Sequence, residues 1–251
     1  MSSPEPTSLR LIYLSPESSF HTFNELKLVS NFILQNRMQH LDPVPKEAFT
    51  EIIKELESRS LEINKYRNNV GIGRSQCFGI VSRRSLCPDL SRQSWKRVKL
   101  HHLLMEYAKT YVNIPFTSIQ VNQNMICEEH LDKGNIGLSY IVGFGSYEGG
   151  ALCVEDYNHN IQYRPLLFDG SKQRHKTKPF RSDRYTIVFH TIHPKPSYRD
   201  QMPPLSVYEV VEDNGVQKIR DTRTGAMYWG SHGLDHPLRG RRRDPQTQSS
   251  S

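Results

Sequence analysis

From Phe116 onward the chain is cut into short apolar segments separated by turn signals, and this constrains the fold more than any other feature. The segments are Ser118–Cys127, Gly137–Gly145, Ala151–Glu155, Ile161–Phe168 and Arg184–His190. Between them stand Ser146-Tyr-Glu-Gly-Gly150, Tyr157-Asn-His-Asn160 and Asp169-Gly170, which are turn-forming sequences. Leu205–Val211 and Val216–Arg220 face each other across Asn214-Gly215, the signature of a tight hairpin. None of these runs alternates with helical segments long enough for βα units. A sandwich or barrel of antiparallel strands is therefore expected.

The first part of the chain has a different period. Phe23, Leu26, Leu28, Val29, Phe32 and Ile33 mark a helix from Phe23 to Met38. Asp42-Pro-Val-Pro45 breaks it, and Pro45 opens a second helix carrying Phe49, Ile52, Ile53 and Leu56 and running towards Ile63. Arg67 to Gly73 reads as loop, Ser75–Val81 as a strand and Arg83-Arg84 as a basic loop. Trp95, Val98, His102, Met105 and Tyr107 to Tyr111 mark a third helix, with Lys96, Arg97 and Lys99 along its outside and His101-His102 on a solvated face.

The expected class is α+β, with the β unit over residues 73–230 and a helical extension over 21–72 packed on it. Residues 1–20, rich in Pro and Ser, and 231–251, with Arg239-Gly-Arg-Arg-Arg243 and a Gln/Ser end, are expected to be disordered.

Composition narrows the setting. The start has no basic and apolar leader, and no apolar run is long enough to cross a membrane. Four scattered cysteines, with no Cys-x-x-Cys pair, fit a reducing compartment, so we expect an intracellular protein, nuclear or cytoplasmic. The formal net charge of +7 favours polyanionic partners such as nucleic acid.

Ser118–Cys127 leads into Glu-Glu-His130-Leu-Asp132. On an extended chain, residues i and i+2 face the same way, so His130 and Asp132 can offer a nitrogen and an oxygen to one point. That is two-thirds of the 2-His-1-carboxylate triad used for Fe(II). His175, just after the Asp169-Gly170 turn, is the candidate third donor. Arg184 and Thr186 share one face of a later strand, and a guanidinium beside a hydroxyl suits a buried carboxylate. His190-Thr-Ile-His193 also has metal-like spacing but straddles a strand end before Pro194.

The order His130-x-Asp132, Gly149-Gly150-x-Leu152, His175, Arg184-x-Thr186 resembles the motif order of Fe(II)/2-oxoglutarate dioxygenases, over roughly residues 75 to 192. The resemblance implies a double-stranded β-helix, a jelly-roll-like core flanked by N-terminal helices. It implies Fe(II) on His130, Asp132 and His175, 2-oxoglutarate gripped by Arg184 with Thr186 assisting, and O2 as oxidant. Val121-Asn-Gln-Asn124 resembles the Asn-bearing strand of AlkB-like enzymes, which gives Asn122 and Asn124 as further co-substrate residues.

Asn-x-Asn, His-x-Asp-x-x-Asn-x-Gly-x-Ser, and His175-Lys-Thr-Lys-Pro-Phe180 before Arg184 look most like the TET/J-binding-protein group. That group oxidises the methyl group of thymine or 5-methylcytosine, and the methylated base must then be flipped from the duplex. Lys172, Arg174, Lys176, Lys178 and Arg181 surround His175 and are candidates for phosphate contact. The alternatives are a prolyl or lysyl hydroxylase with the same chemistry, or a binding protein with an inactive metal site.

Overall fold

The computed structural model describes residues 38–63, 71–82, 88–193 and 203–229. The helix expected from Phe23, the Arg83-Arg84 loop and both expected loose ends lie outside these residues, apart from Met38. The strands are β1 Gln39–His40, β2 Gly71–Val81, β3 Asp89–Leu90, β4 Ser118–Cys127, β5 Asn135–Phe144, β6 Glu148–Gly149 and β7 Leu152–Val154. They continue as β8 Tyr157–His159, β9 Leu166–Phe168, β10 His175–Thr177, β11 Phe180–Arg181, β12 Tyr185–Ile192, β13 Tyr208–Asp213, β14 Val216–Asp221 and β15 Met227–Tyr228. The helices are α1 Thr50–Ser58, α2 Arg92–Lys96 and α3 Val98–Tyr111.

The strand order defines the architecture. A seven-stranded antiparallel sheet runs β1-β9-β5-β12-β4-β2-β3. A smaller sheet runs β10-β7-β8, and β11 pairs with β6 as the continuation of β10 and β7. The ladder bends where Gly149 and Gly150 both take positive φ, at 78° and 64°. His130 joins the other side of β10 through an isolated bridge to His175. Take β4, the 128–132 segment, β5, β6–β7, β8, β9, β10–β11 and β12 as eight successive strands. The large sheet is then ordered 6-3-8-1 and the small one 5-4-7-2. That alternation between two facing sheets is a jelly roll, or double-stranded β-helix.

Alternation along each strand decides what lies on either side of the large sheet. Phe78, Ile119, Val121, Tyr140, Val142, Phe144, Ile187 and Phe189 point outward and are buried beneath helices. The helices cover them with Phe49, Ile52, Leu56, Leu100, Leu104 and Tyr107. Phe49 stacks on Phe144 with centroids 4.6 Å apart. Each such side chain stabilises the fold by about 2 kcal/mol over leaving it in water. The opposite face holds Ser75, Gln120, Asn122, Thr186 and Val188, and all of these but Ser75 line the space between the sheets. Ile141, Leu152, Val154, Ile161, Leu166 and Phe168 close part of that space with an apolar cluster.

The Asn214-Gly215 hairpin is present, with both residues at positive φ as its turn requires. It forms a separate three-stranded sheet, β13-β14-β15, packed on Trp95 and Val98. No helix among the described residues is long and apolar enough to cross a membrane.

Several local expectations are corrected. The second helix begins as a 3-10 turn over Lys46–Phe49 and stops at Ser58, short of Ile63. The third divides at Arg97 into α2 and α3. Arg97 is buried, not outward, and donates to the Glu55 carbonyl and to Gln76. His101 is also buried, against Phe78, with only its neighbour His102 half-exposed. β2 starts at Gly71, in what read as loop, because Gly71 and Gly73 let it approach the β4 backbone where a Cβ would collide.

Candidate active site

His130, Asp132 and His175 present donor atoms that all lie within 4.8 Å of one another. His130 Nε2 is 3.7 Å from Asp132 Oδ1, and His175 Nε2 is 3.6 Å from Asp132 Oδ2. His130 and Asp132 are not on a regular strand, since β4 ends at Cys127. Main-chain bonds fix them instead. His130 and His175 exchange both backbone hydrogen bonds at 3.1 Å, and the Asp132 N–H donates to the Gly170 carbonyl at 2.8 Å.

The imidazole tautomers follow from the same loops. His130 Nδ1 lies 2.7 Å from the Glu128 carbonyl, and His175 Nδ1 lies 3.0 Å from that of Gln173. A carbonyl only accepts, so each Nδ1 donates its proton there, and each Nε2 is left facing Asp132. Rings oriented this way, with a carboxylate between their Nε2 atoms, suit a first-row divalent cation. Phe168 meets the His175 ring edge-on at 5.0 Å and supports its orientation.

The cavity beside the triad has a volume of about 230 Å³ and is lined in part by Asn122, Arg184 and Thr186. Arg184 precedes β12 and is 2% exposed. Its guanidinium lies 5.4 Å from the ring centroids of both Tyr147 and Phe180. Its Nε donates to the Gly150 carbonyl, and a Cβ on Gly150 would fall 2.8 Å from its Cδ and Nε. Gly150 is thus the cradle of the arginine. Arg184 Nη2 and Tyr147 Oη are buried near each other, and no acidic side chain among the described residues pairs with the guanidinium. Burial disfavours the charged guanidinium and holds its pKa below the ordinary value, with the Tyr147 hydroxyl opposing this. An unpaired buried cation of this kind is costly unless an anion joins it. The three donors fit a metal ion and the guanidinium fits a carboxylate, within one cavity.

Thr186 and Asn122 line the cavity, with Asn122 Nδ2 donating to Thr186 Oγ1 at 3.0 Å. Asn124 does not. Its carboxamide accepts from the Arg184 N–H at 2.8 Å and donates to Asp183, and its φ of 51° turns it out of the sheet. It braces the Arg184 backbone and is not a cavity residue. His190 lines the cavity, but no cluster of three potential metal ligands among the described residues includes it or His193. Gln120, Asn135 and Tyr147 were not singled out from sequence. Gln120 was findable, two residues before Asn122 on the same strand face.

No protein-family model matches the sequence, and no curated protein matches it. Solved structures do. NgTET1 in complex with 5mC DNA is 15% identical, over 62% of this chain and 74% of that one, with a TM-score of 0.46. A prolyl hydroxylase from Trichoplax adhaerens, in complex with a hypoxia inducible factor oxygen degradation domain peptide fragment, is 14% identical over 72% and 93%, with a TM-score of 0.47. An oxidoreductase of the 2OG-Fe(II) oxygenase family from Burkholderia pseudomallei is 16% identical over 66% and 88%, with a TM-score of 0.43. Likeness at this level carries no residue role across, and the jelly roll stands on the strand order itself.

Proposed function

We propose that the protein is an Fe(II)- and 2-oxoglutarate-dependent dioxygenase that hydroxylates a C–H bond. The observation that carries this reading is the pairing, in one cavity, of a His130-Asp132-His175 donor set with the buried guanidinium of Arg184, which has no acidic partner among the described residues. His130, Asp132 and His175 would hold the iron and leave positions open for the 2-oxo acid and O2. Bound iron supplies the activation of O2, coupled to decarboxylation of 2-oxoglutarate to succinate and CO2.

The chain's own groups do the rest. Arg184 takes the distal carboxylate, and the Thr186 hydroxyl beside it adds a second donor. Tyr147 and Phe180 flank the guanidinium and keep water from competing for it. Ile141, Leu152, Phe168 and Val188 give the cavity an apolar wall, which suits a C–H substrate.

For the substrate, we favour the methyl group of 5-methylcytosine or thymine in nucleic acid. The sequence motifs and the net charge of +7 support it. A nuclear location follows only if this substrate class holds. One observation favours the second reading, a prolyl or lysyl side chain. Arg174 and Lys176 both pair with Glu129, and Lys172 pairs with Asp169, so three of the expected phosphate-binding cations have acidic partners.

Anaerobic titration with Fe(II) and 2-oxoglutarate, followed by air and mass spectrometry of methylated DNA nucleosides, tests both levels. Succinate formation with oxidised 5-methylcytosine or thymine is expected. Turnover of 2-oxoglutarate with both bases unchanged rejects the nucleic-acid substrate. Failure to bind either iron or 2-oxoglutarate rejects the dioxygenase reading itself.

A further inference from the structure

The inner face of the large sheet carries a row of polar side chains that the metal donors do not use. Ser75 on β2, Asn122 on β4 and Thr186 on β12 are direct cross-strand partners, and Gln120 sits two residues before Asn122 on the same face. Gln120 Nε2 donates to Ser75 Oγ. Ser75 Oγ donates to Asn122 Oδ1 at 2.7 Å, and Asn122 Nδ2 donates to Thr186 Oγ1 at 3.0 Å. Every bond in the row runs the same way, from Gln120 to Thr186.

That direction has a chemical consequence, because a hydroxyl has a single proton. Ser75 accepts from Gln120, so its proton goes to Asn122. The Asn122 carbonyl is then occupied, and its NH2 faces Thr186. Thr186 therefore accepts within the row and keeps its own proton for the cavity. If Gln120 offered its carbonyl to Ser75, each bond would reverse and Asn122 would take the Thr186 proton. A carboxylate beside Arg184 can only accept, so Thr186 serves it in one direction of the row and not in the other.

We propose that Ser75 and Gln120 are positioning residues for the acidic co-substrate. They set the direction of the row and so reserve the Thr186 proton for the carboxylate that Arg184 holds. The inference rests on the co-substrate reading above. It gives β2, which lies outside the eight jelly-roll strands, a part in the site.

The test uses the full chain loaded anaerobically with Mn(II) and titrated with two acids. 2-Oxoglutarate has a distal carboxylate; 2-oxobutanoate has the same chelating head without it. Ser75→Ala is expected to weaken 2-oxoglutarate binding roughly tenfold and leave 2-oxobutanoate binding unchanged. Ser75→Thr, which keeps the hydroxyl, is expected to restore the wild-type ratio. Unchanged 2-oxoglutarate affinity in Ser75→Ala overturns the proposal, and so does an equal loss for both acids, which would mark a general disturbance of the sheet. If the wild-type protein itself binds neither acid, the co-substrate reading falls and this proposal with it.

Discussion

His130 and His175 donate to each other's carbonyls through both of their backbone N–H groups, at 3.1 Å in each direction. Two proposed metal donors far apart in sequence are thus set by peptide geometry, and their side chains need only the right rotamer. The candidate site is built into the ladder of the small sheet by backbone bonds alone.

Removing one donor should therefore leave the scaffold and cripple the metal site. His175→Ala is expected to lower Fe(II) or Co(II) affinity by about 100-fold or more and to abolish succinate formation. Anaerobic Co(II) titration by visible absorption reads the first effect. A variant with normal turnover would show that the third donor is another residue.

Arg184→Met keeps the bulk between Tyr147 and Phe180 but loses the charge. We expect 2-oxoglutarate affinity to fall by about 2–5 kcal/mol, as for loss of one partner of a buried ion pair, with metal affinity retained. Calorimetry of the metal-loaded protein separates the two.

Gly150→Ala acts on the same arginine without touching its chemistry. The new Cβ collides with Arg184 at 2.8 Å, and φ of +64° strains any L side chain. A stability loss of roughly 1–2 kcal/mol is expected together with weaker 2-oxoglutarate binding. Urea unfolding and calorimetry check the pair. Intact 2-oxoglutarate affinity would mean that the guanidinium can be displaced at no cost to the clamp.

Burial pushes the pKa of His101 down to about 4 from 6.5, with His102 adding to it. In the unfolded chain the ring takes a proton near its ordinary value, so the unfolded state binds more protons between these two values. The contribution of this group is complete above pH 6.5 and falls as the pH drops to 4, by roughly 3 kcal/mol in total. His101→Leu should flatten that slope. Urea midpoints at pH 7.5 and pH 5 for both proteins decide it.

The pieces legible in the sequence were those whose partners are local or whose chemistry is rare. Asn214-Gly215 announces its hairpin, and His130-x-Asp132, His175 and Arg184-x-Thr186 announce a site because few combinations of such residues share a cavity. What stayed hidden depends on what covers a face. The charge pattern put Arg97 and His101 outside, but α1 and β2 pack there and supply Glu55, Gln76 and Phe78 as neighbours. Asn124 shares its motif and its strand with Asn122, yet a positive φ and the Arg184 N–H turn it away. Ser75 gives no signal alone, because only the register of β2 on β4 sets it opposite Asn122.

The proposed metal donors hang from one wall of the jelly roll, while Arg184 and Thr186 belong to the other. A ligand that chelates the ion and reaches the guanidinium must bridge the two walls, acting as a clasp across the mouth. Cation alone should slow amide exchange around β10, whereas cation with a diacid should slow it around β10 and β12 together. Wall-to-wall closure would then be something the co-substrate itself brings to the barrel.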